Sequence, residues 1–253
     1  MPIVWDVSQG TDEWFDARLG RLTSSHAAEM MATGRGGKEA AGRRNLRIKL
    51  VLERITGKLE DNAWTTSAMQ RGTDLEPVAC AAYEALTGNL TEQAGFYSLK
   101  RCMAGGSPDR LIGADGLLEV KCPLAATHYT YLTSGKIPGN YAWQNLHNLW
   151  VSGRDWLDWM SFHPDFPGRT QALRIRTERD DQVMAEYEER ALEFLAEVDA
   201  QEQKLREMAS DDGLSSKGEE QEVANREEAP VGPPGGIDDT PPPAPSPEPR
   251  EIR

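Results

Sequence analysis

Apolar residues recur three or four positions apart in three long stretches of the chain, the spacing of a helix with one buried side. Over residues 41–56, Leu46, Ile48, Val51, Leu52 and Ile55 form the predicted inner side and the rest is strongly basic. Over residues 72–87, Leu75, Ala79, Ala82, Tyr83 and Leu86 line one side, and Gly88 stands where a left-handed cap belongs. Residues 180–207 predict one long helix carrying Val183, Tyr187, Ala191, Phe194, Leu195, Val198 and Leu205; the acidic face between them is expected to be solvated. Shorter helices are expected over residues 24–31, where a hydroxyl precedes Glu29, and over residues 141–151. Residues 91–99 and 103–105 read as weak strands. Residues 110–113 and 116–122 read as a β-hairpin around Gly113-Ala114-Asp115-Gly116, stopped by Pro123, and Trp156–Phe162 as an aromatic-rich strand.

This mixture predicts one α/β domain over residues 1–208. Beyond about residue 209 the pattern fades. Nine of the sixteen prolines lie there and apolar residues are sparse, so residues 209–253 are expected to form a disordered, acidic, Pro-rich tail. The net charge of −13 first argues against a nucleic-acid partner. Its distribution changes that. Residues 1–177 hold 20 Lys and Arg against 19 Asp and Glu, whereas residues 178–253 hold 8 against 22. Within the first part, residues 35–58 carry eight basic side chains against Glu39 and Glu53. No run is long and apolar enough to span a membrane, and the first ten residues lack a basic leader, so neither a membrane location nor a signal peptide is expected. Three widely spaced cysteines form neither a disulfide framework nor a zinc ribbon and suggest a cytoplasmic setting.

The hairpin carries the most chemical information. Glu119 and Lys121 project from one face of a strand while Val120 faces the other way, and pairing across the hairpin sets Asp109 beside Glu119. Two adjacent carboxylates repel unless a cation lies between them. Oxygen-only donors suit Mg²⁺ or Mn²⁺, and a neighbouring lysine can orient or deprotonate a water or stabilise charge on a phosphate. An exposed strand with alternating charges has the same text. The stretch Thr33-Gly34-Arg35-Gly36-Gly37-Lys38 imitates a phosphate loop, but Glu39 stands where Ser or Thr is required. The four histidines show no metal spacing, and no GxSxG accompanies them.

Several ordered segments resemble the viral recombinase family of alkaline exonucleases of the lambda exonuclease type, within the PD-(D/E)xK nucleases. They begin with Gln9-Gly10-Thr11-Asp12-Glu13-Trp14 and Ala17-Arg18-Leu19-Gly20-Arg21-Leu22-Thr23-Ser24-Ser25. They continue through Arg71-Gly72-Thr73-Asp74-Leu75-Glu76-Pro77, Gly106-Ser107-Pro108-Asp109 and Gly116-Leu117-Leu118-Glu119-Val120-Lys121-Cys122-Pro123 to Tyr141-Ala142-Trp143-Gln144. The resemblance implies a restriction-endonuclease-like core, a mixed central β-sheet flanked by helices. It implies two Mg²⁺ ions, replaceable by Mn²⁺, held by Asp109, Glu119, Glu76 and the carbonyl of Val120, with Lys121 as catalytic lysine and Gln144 in a polar role. Arg18, Thr23, Ser25 and Ser107 match positions around a 5′-phosphate, and the basic helix bearing Arg43 and Arg47 is expected to face DNA. The implied activity is 5′→3′ degradation of double-stranded DNA ends, leaving 3′ overhangs for phage-type recombination. The implied partners are two further copies in a ring-shaped homotrimer and a single-strand annealing protein. Two departures stand out: Leu146 replaces a second glutamine often found in the family, and Arg110 replaces the glycine after Asp109. The alternatives are a related endonuclease or repair nuclease of the same fold, and a non-catalytic DNA-binding accessory protein.

Overall fold

The computed structural model describes residues 2–60 and 67–210, except the side chains of 67–69. The expected disordered tail thus lies, from residue 211 on, outside the described residues. Elements follow in the order β1 (Ile3–Trp5), α1 (Asp12–Arg18), β2 (Leu22–Thr23), α2 (Ala27–Met31), α3 (Ala41–Thr56) and α4 (Ser67–Thr87). Next come β3 (Glu92–Gln93), β4 (Phe96–Ser98), β5 (Ala104–Gly106), β6 (Arg110–Ile112) and β7 (Gly116–Lys121). The chain continues with α5 (Ala125–Ser134), α6 (Gly139–Ser152), β8 (Trp156–Phe162), β9 (Ala172–Glu178) and α7 (Asp181–Ser210). A single 3₁₀ turn, Ser24–His26, precedes α2, so the helix expected over residues 24–31 is two pieces, without a side-chain cap.

The fold is mixed α/β, as expected, with the strands divided between two sheets. One has the order β1-β4-β5-β2, the other β3-β6-β7-β8-β9. The hairpin β6–β7 forms in the expected register, Arg110 opposite Leu118 and Ile112 opposite Gly116. Gly116 is required there, because a Cβ would sit 2.2 Å from the Trp156 ring. Strand β7 then pairs in parallel with β8, and α5 and α6 supply the crossover that a parallel pair requires. Alternation along β7 splits its side chains. Leu118 and Val120 join Ala79, Cys80, Tyr83 and Met160 in a cluster under α4. Leu117 joins the larger core built from α2, α3, α6 and α7, where Trp159, Tyr187 and Phe194 are fully buried.

Three expectations about helix faces need correction. In α3 the buried stripe is Leu46, Leu50, Val51 and Glu53, whereas Ile48, Leu52 and Ile55 are exposed. In α4, Leu86 is exposed, because the helix rests on β7 through Ala79, Cys80 and Tyr83 nearer its middle. In α7, Val183 and Leu205 are exposed while Met184 is buried, and its acidic side is not simply solvated. Glu197 receives both Arg43 and Arg47, and Asp199 receives Arg54.

Candidate active site

The hairpin register brings Asp109 to Glu119. The Asp109 carboxylate accepts the Val120 backbone N–H at 2.7 Å, reaching one residue past its cross-strand neighbour. Glu119 is 1% exposed. Burial of a charge at that depth is tolerable only with close donors, and three converge on it. Lys121 Nζ and Gln144 Nε2 both lie 2.6 Å from Oε1, and Asn148 Nδ2 lies 3.1 Å from Oε2. Gln144 and Asn148 are one turn apart on α6, so a single helix face presents both amides to one acid. Asn148 escaped the sequence reading, although its spacing of four from Gln144 was the available clue. Leu146, two positions after Gln144, is a buried core residue.

Glu76 comes from α4, immediately before Pro77, which removes one backbone donor from the helix interior. Its carboxylate is bound to Arg110 Nη1 at 2.8 Å, and the same nitrogen donates to the Asp109 carbonyl at 2.7 Å. The residue replacing the family's glycine thus ties Glu76 to the hairpin.

The electrostatics are those of buried carboxylates, with a neighbouring like charge adding to Glu119 and Glu76. Burial, then Asp109, push the Glu119 carboxyl up to about 7. Burial pushes Asp109 up, against Lys121 and the Val120 amide. Burial and Asp109 raise Glu76, against Arg110. Burial works against the charge of Lys121, but Glu119 and Asp109 outweigh it and hold the ammonium firmly protonated. Its Nζ also lies 5.1 Å from the centre of the Tyr141 ring. Among the described residues no three His, Cys, Asp or Glu side chains close around one point. Asp109 and Glu119 nevertheless fit a hard divalent cation: both are oxygen donors, and each is disfavoured as an anion where it sits. Mg²⁺ commonly binds through only one or two carboxylates and keeps several waters.

A second cluster forms where α1 turns into β2. Arg18 Nη2 lies 3.5 Å from Thr23 Oγ1 and 3.4 Å from Ser25 Oγ, the two hydroxyls are 3.2 Å apart, and the guanidinium lies over the Trp14 ring. Expected partners Arg18, Thr23 and Ser25 are thus assembled. Ser107 is held separately, donating to the Gly95 carbonyl, with Gln9 Nε2 3.4 Å from its hydroxyl. The two clusters are close. A Cβ on Gly106 would lie 3.4 Å from Ser24 Oγ and 2.8 Å from Asn148 Oδ1. The bare backbone of Gly106 lets α6 approach through Asn148 and Val151, while the Ser24 turn lies at ordinary contact distance on the other side.

Arg43 and Arg47 are not placed as expected. Each donates to Glu39 and to Glu197, and both guanidinium groups are mostly covered. Their charge is shared between Glu39 and, on α7, Glu197.

The chain's likenesses agree with this geometry. Residues 13–155 match the YqaJ-like viral recombinase domain. An alkaline exonuclease (LHK-Exo) from Laribacter hongkongensis is 39% identical, with a TM-score of 0.71 over 79% of this chain and 98% of that one. The same enzyme in complex with dAMP gives 38% and 0.72. A phage related exonuclease from Haemophilus somnus 129PT shares the fold, with a TM-score of 0.59 at 12% identity, covering 74% of this chain and 96% of that one. No curated protein matches the chain. On the domain match and the alkaline exonuclease likeness together, the chain belongs to the YqaJ-like viral recombinase family of the lambda exonuclease type.

Proposed function

We propose that the chain is a Mg²⁺-dependent exonuclease that degrades one strand of double-stranded DNA from its 5′ end and leaves 3′ overhangs for recombination. The observation that carries this reading is the convergence of Asp109, Glu119 and Lys121, with Glu76 bound beside them by Arg110. Asp109, Glu119 and the Val120 carbonyl would hold the cation, with Glu76 joining directly or through water. A second ion and replacement by Mn²⁺ belong to the same reading. The cation supplies Lewis-acid polarisation of the scissile phosphate and a more acidic water. Lys121, held as a cation, stabilises negative charge developing on the phosphate. Gln144 and Asn148 fix the Glu119 carboxylate in one orientation. Arg18, Thr23 and Ser25 anchor a terminal 5′-phosphate through a fork of N–H donors and two hydroxyls, and Ser107 completes the wall towards the hairpin. The alkaline exonuclease from Laribacter hongkongensis, crystallised with the nucleotide dAMP, supports nucleotide release as the outcome.

A homotrimeric ring around the duplex, a single-strand annealing partner and a phage origin acting in host cytoplasm complete the proposal. Among the described residues no helix is long and apolar enough to cross a membrane. Digestion of linear duplexes labelled at either end, and of closed circular duplexes, with Mg²⁺ or with chelator, tests it. Metal-dependent release of the 5′ label from linear DNA alone is expected; cleavage of closed circles indicates an endonuclease, and no cleavage a binding protein.

A further inference from the structure

An open cavity of about 700 Å³ lies between the last turn of α4 and the strands β8 and β9. Leu86 and Met160 give it an apolar side, and Arg174 and Arg176 are the charged residues among the described ones that line it. The two arginines stand two apart on the edge strand β9, so they project from one face. Both are bound to Asp158, which is fully buried. Asp158 accepts the Tyr83 hydroxyl at 2.7 Å, Arg174 Nη1 at 3.0 Å, and Arg176 Nε and Nη2 at 2.8 and 3.0 Å. Burial works against the Asp158 charge, but Arg176, Tyr83 and Arg174 outweigh it and hold the carboxyl below its ordinary range. The Arg176 guanidinium also lies over the Trp156 ring, 3.6 Å from its centre. One acid thus answers two guanidinium groups. Glu178 stands 4.0 Å from Arg176 Nη1, at the limit of an ion pair, and is mostly exposed. Arg174 forms no other ion pair among the described residues, its side chain is 44% exposed, and its Nε and Nη2 are not engaged. Strand β9 is already paired with β8 along its whole length, so holding it does not require two arginines.

We infer that Arg174 and Arg176 bind a phosphate group of nucleic acid, at a site separate from the hairpin and from the Arg18 cluster, with Asp158 as the positioning residue between them. The nature of the ligand rests on the nuclease reading. Guanidinium N–H groups suit phosphate oxygens, and the oxygens of one phosphate can accept from both arginines. The charge left after Asp158 is answered is one positive unit, which matches the single negative charge of a phosphodiester. The volume falls within the range of about 300–1,000 Å³ of small-molecule sites, so a sugar or base can lie against Leu86 and Met160. The site is near the hairpin. Tyr83 follows Glu76 by two turns on the same side of α4, roughly 10 Å. Asp158 precedes Ser161, the register partner of Lys121, by three residues of β8, again roughly 10 Å. That is about three nucleotides at a rise of roughly 3.4 Å each. A phosphate held there steadies a strand without reading its sequence.

The test is binding of a fluorescent single-stranded oligonucleotide, followed by anisotropy in chelator over a series of salt concentrations, for the full chain and for Arg174→Gln, Arg174→Lys and Arg176→Gln. Unlabelled dAMP serves as competitor, and thermal midpoints are recorded beside each titration. Arg174→Gln weakens binding on the order of ten-fold, the scale of one hydrogen bond to a charged group. It also flattens the dependence of log affinity on log salt by about 0.7, the counterion release of one phosphate on a single strand. Arg174→Lys keeps the slope. Displacement of the labelled strand by dAMP, lost in Arg174→Gln, supports the site with a mononucleotide as occupant; a changed slope without displacement supports it with a backbone phosphate. Unchanged slopes in both Arg174→Gln and Arg176→Gln overturn the site, even where the thermal midpoint falls, and leave the arginines as a fastening of β9. Arg174→Gln decides should Arg176→Gln fold poorly, since Arg174 is half exposed and gives up one bond to Asp158. Cleavage in Mg²⁺ separates the two readings. An unaltered chain that cleaves, with variants that bind as it does, loses this site and keeps the nuclease; one that never cleaves, with a weakened Arg174→Gln, loses the nuclease and keeps the site.

Discussion

Between α3 and α7, Arg43 and Arg47 meet Glu39 and Glu197 with every charge answered by an opposite one. At the hairpin, Asp109, Glu119 and Glu76 crowd together, and each carboxyl is pushed above its ordinary range. The seam holds two helices together and leaves nothing over for a ligand. The hairpin is held together in spite of its charges, by β7, α6 and Arg110. The basic residues of the seam are thus satisfied within the chain, whereas the acidic residues at the hairpin are held where their charge is disfavoured. Buried carboxylates set close together are costly, and such a combination is where a compensating ligand is sought.

The contrast can be broken at either end. Asp109→Asn keeps an acceptor for the Val120 amide and removes a repelling charge. Activity on linear duplex is expected to fall on the order of 10²–10³-fold, while the thermal midpoint holds or rises; a variant that is both active and destabilised reverses the assignment.

His147 asks whether burial alone produces such tension. Its Nε2–H donates to the Gly105 carbonyl and its Nδ1 accepts the Tyr187 hydroxyl. Burial lowers its pKa to about 4, against about 6.5 in an unfolded chain. The unfolded chain binds the proton more readily, so the contribution is complete above pH 6.5. It is lost as pH falls towards 4, up to about 3 kcal/mol. Unfolding in denaturant at several pH values, compared with His147→Gln, measures it; parallel profiles for the two proteins remove the effect.

Asn148→Ala leaves Glu119 Oε2 without its amide. A loss of about ten-fold in kcat is expected from one hydrogen bond to a charged group, partly restored by Asn148→Gln, with Lys121 and Gln144 still on Oε1. Rates indistinguishable from those of the unaltered chain make Asn148 a bystander. The smallest effect belongs to the seam. Glu197→Ala is expected to cost about 1 kcal/mol or less, because Glu197 is itself partly exposed and screened and Glu39 still pairs with both arginines, and to leave the cleavage rate in place. Loss of activity comparable to that of Asp109→Asn erases the distinction between the two regions.

Much of this was legible in the chain. The hairpin could be read because Gly113 and Gly116 bracket a turn and the strand alternates strictly, which fixed both the register and the neighbourhood of Asp109 and Glu119. Strand β8 was found to the residue, since its aromatic run has no competing period. What failed was the choice of face. Ile48, Leu52 and Ile55 satisfy a helical stripe as well as Leu46, Leu50 and Val51 do, and only the packing of α2 and α7 decides between them. The pairing of Arg43 and Arg47 with Glu197 spans about 150 residues, beyond the reach of any local pattern. Strand β9 alternates Leu173, Ile175 and Thr177 with Arg174, Arg176 and Glu178 but was not anticipated, nor was helix α5. Asn148 was missed although it stands four residues after Gln144, because that spacing gains meaning only once both amides are seen on Glu119.

Gly106 contributes no functional group. It is nevertheless the place where Asn148, the amide support of Glu119, and Val151 pack so closely that an added Cβ would have to displace them. A library of single substitutions would therefore score this position as intolerant, alongside Asp109 and Lys121, for reasons of room and not of reactivity. Anyone transplanting this site into another scaffold would have to carry over an empty space as faithfully as the side chains.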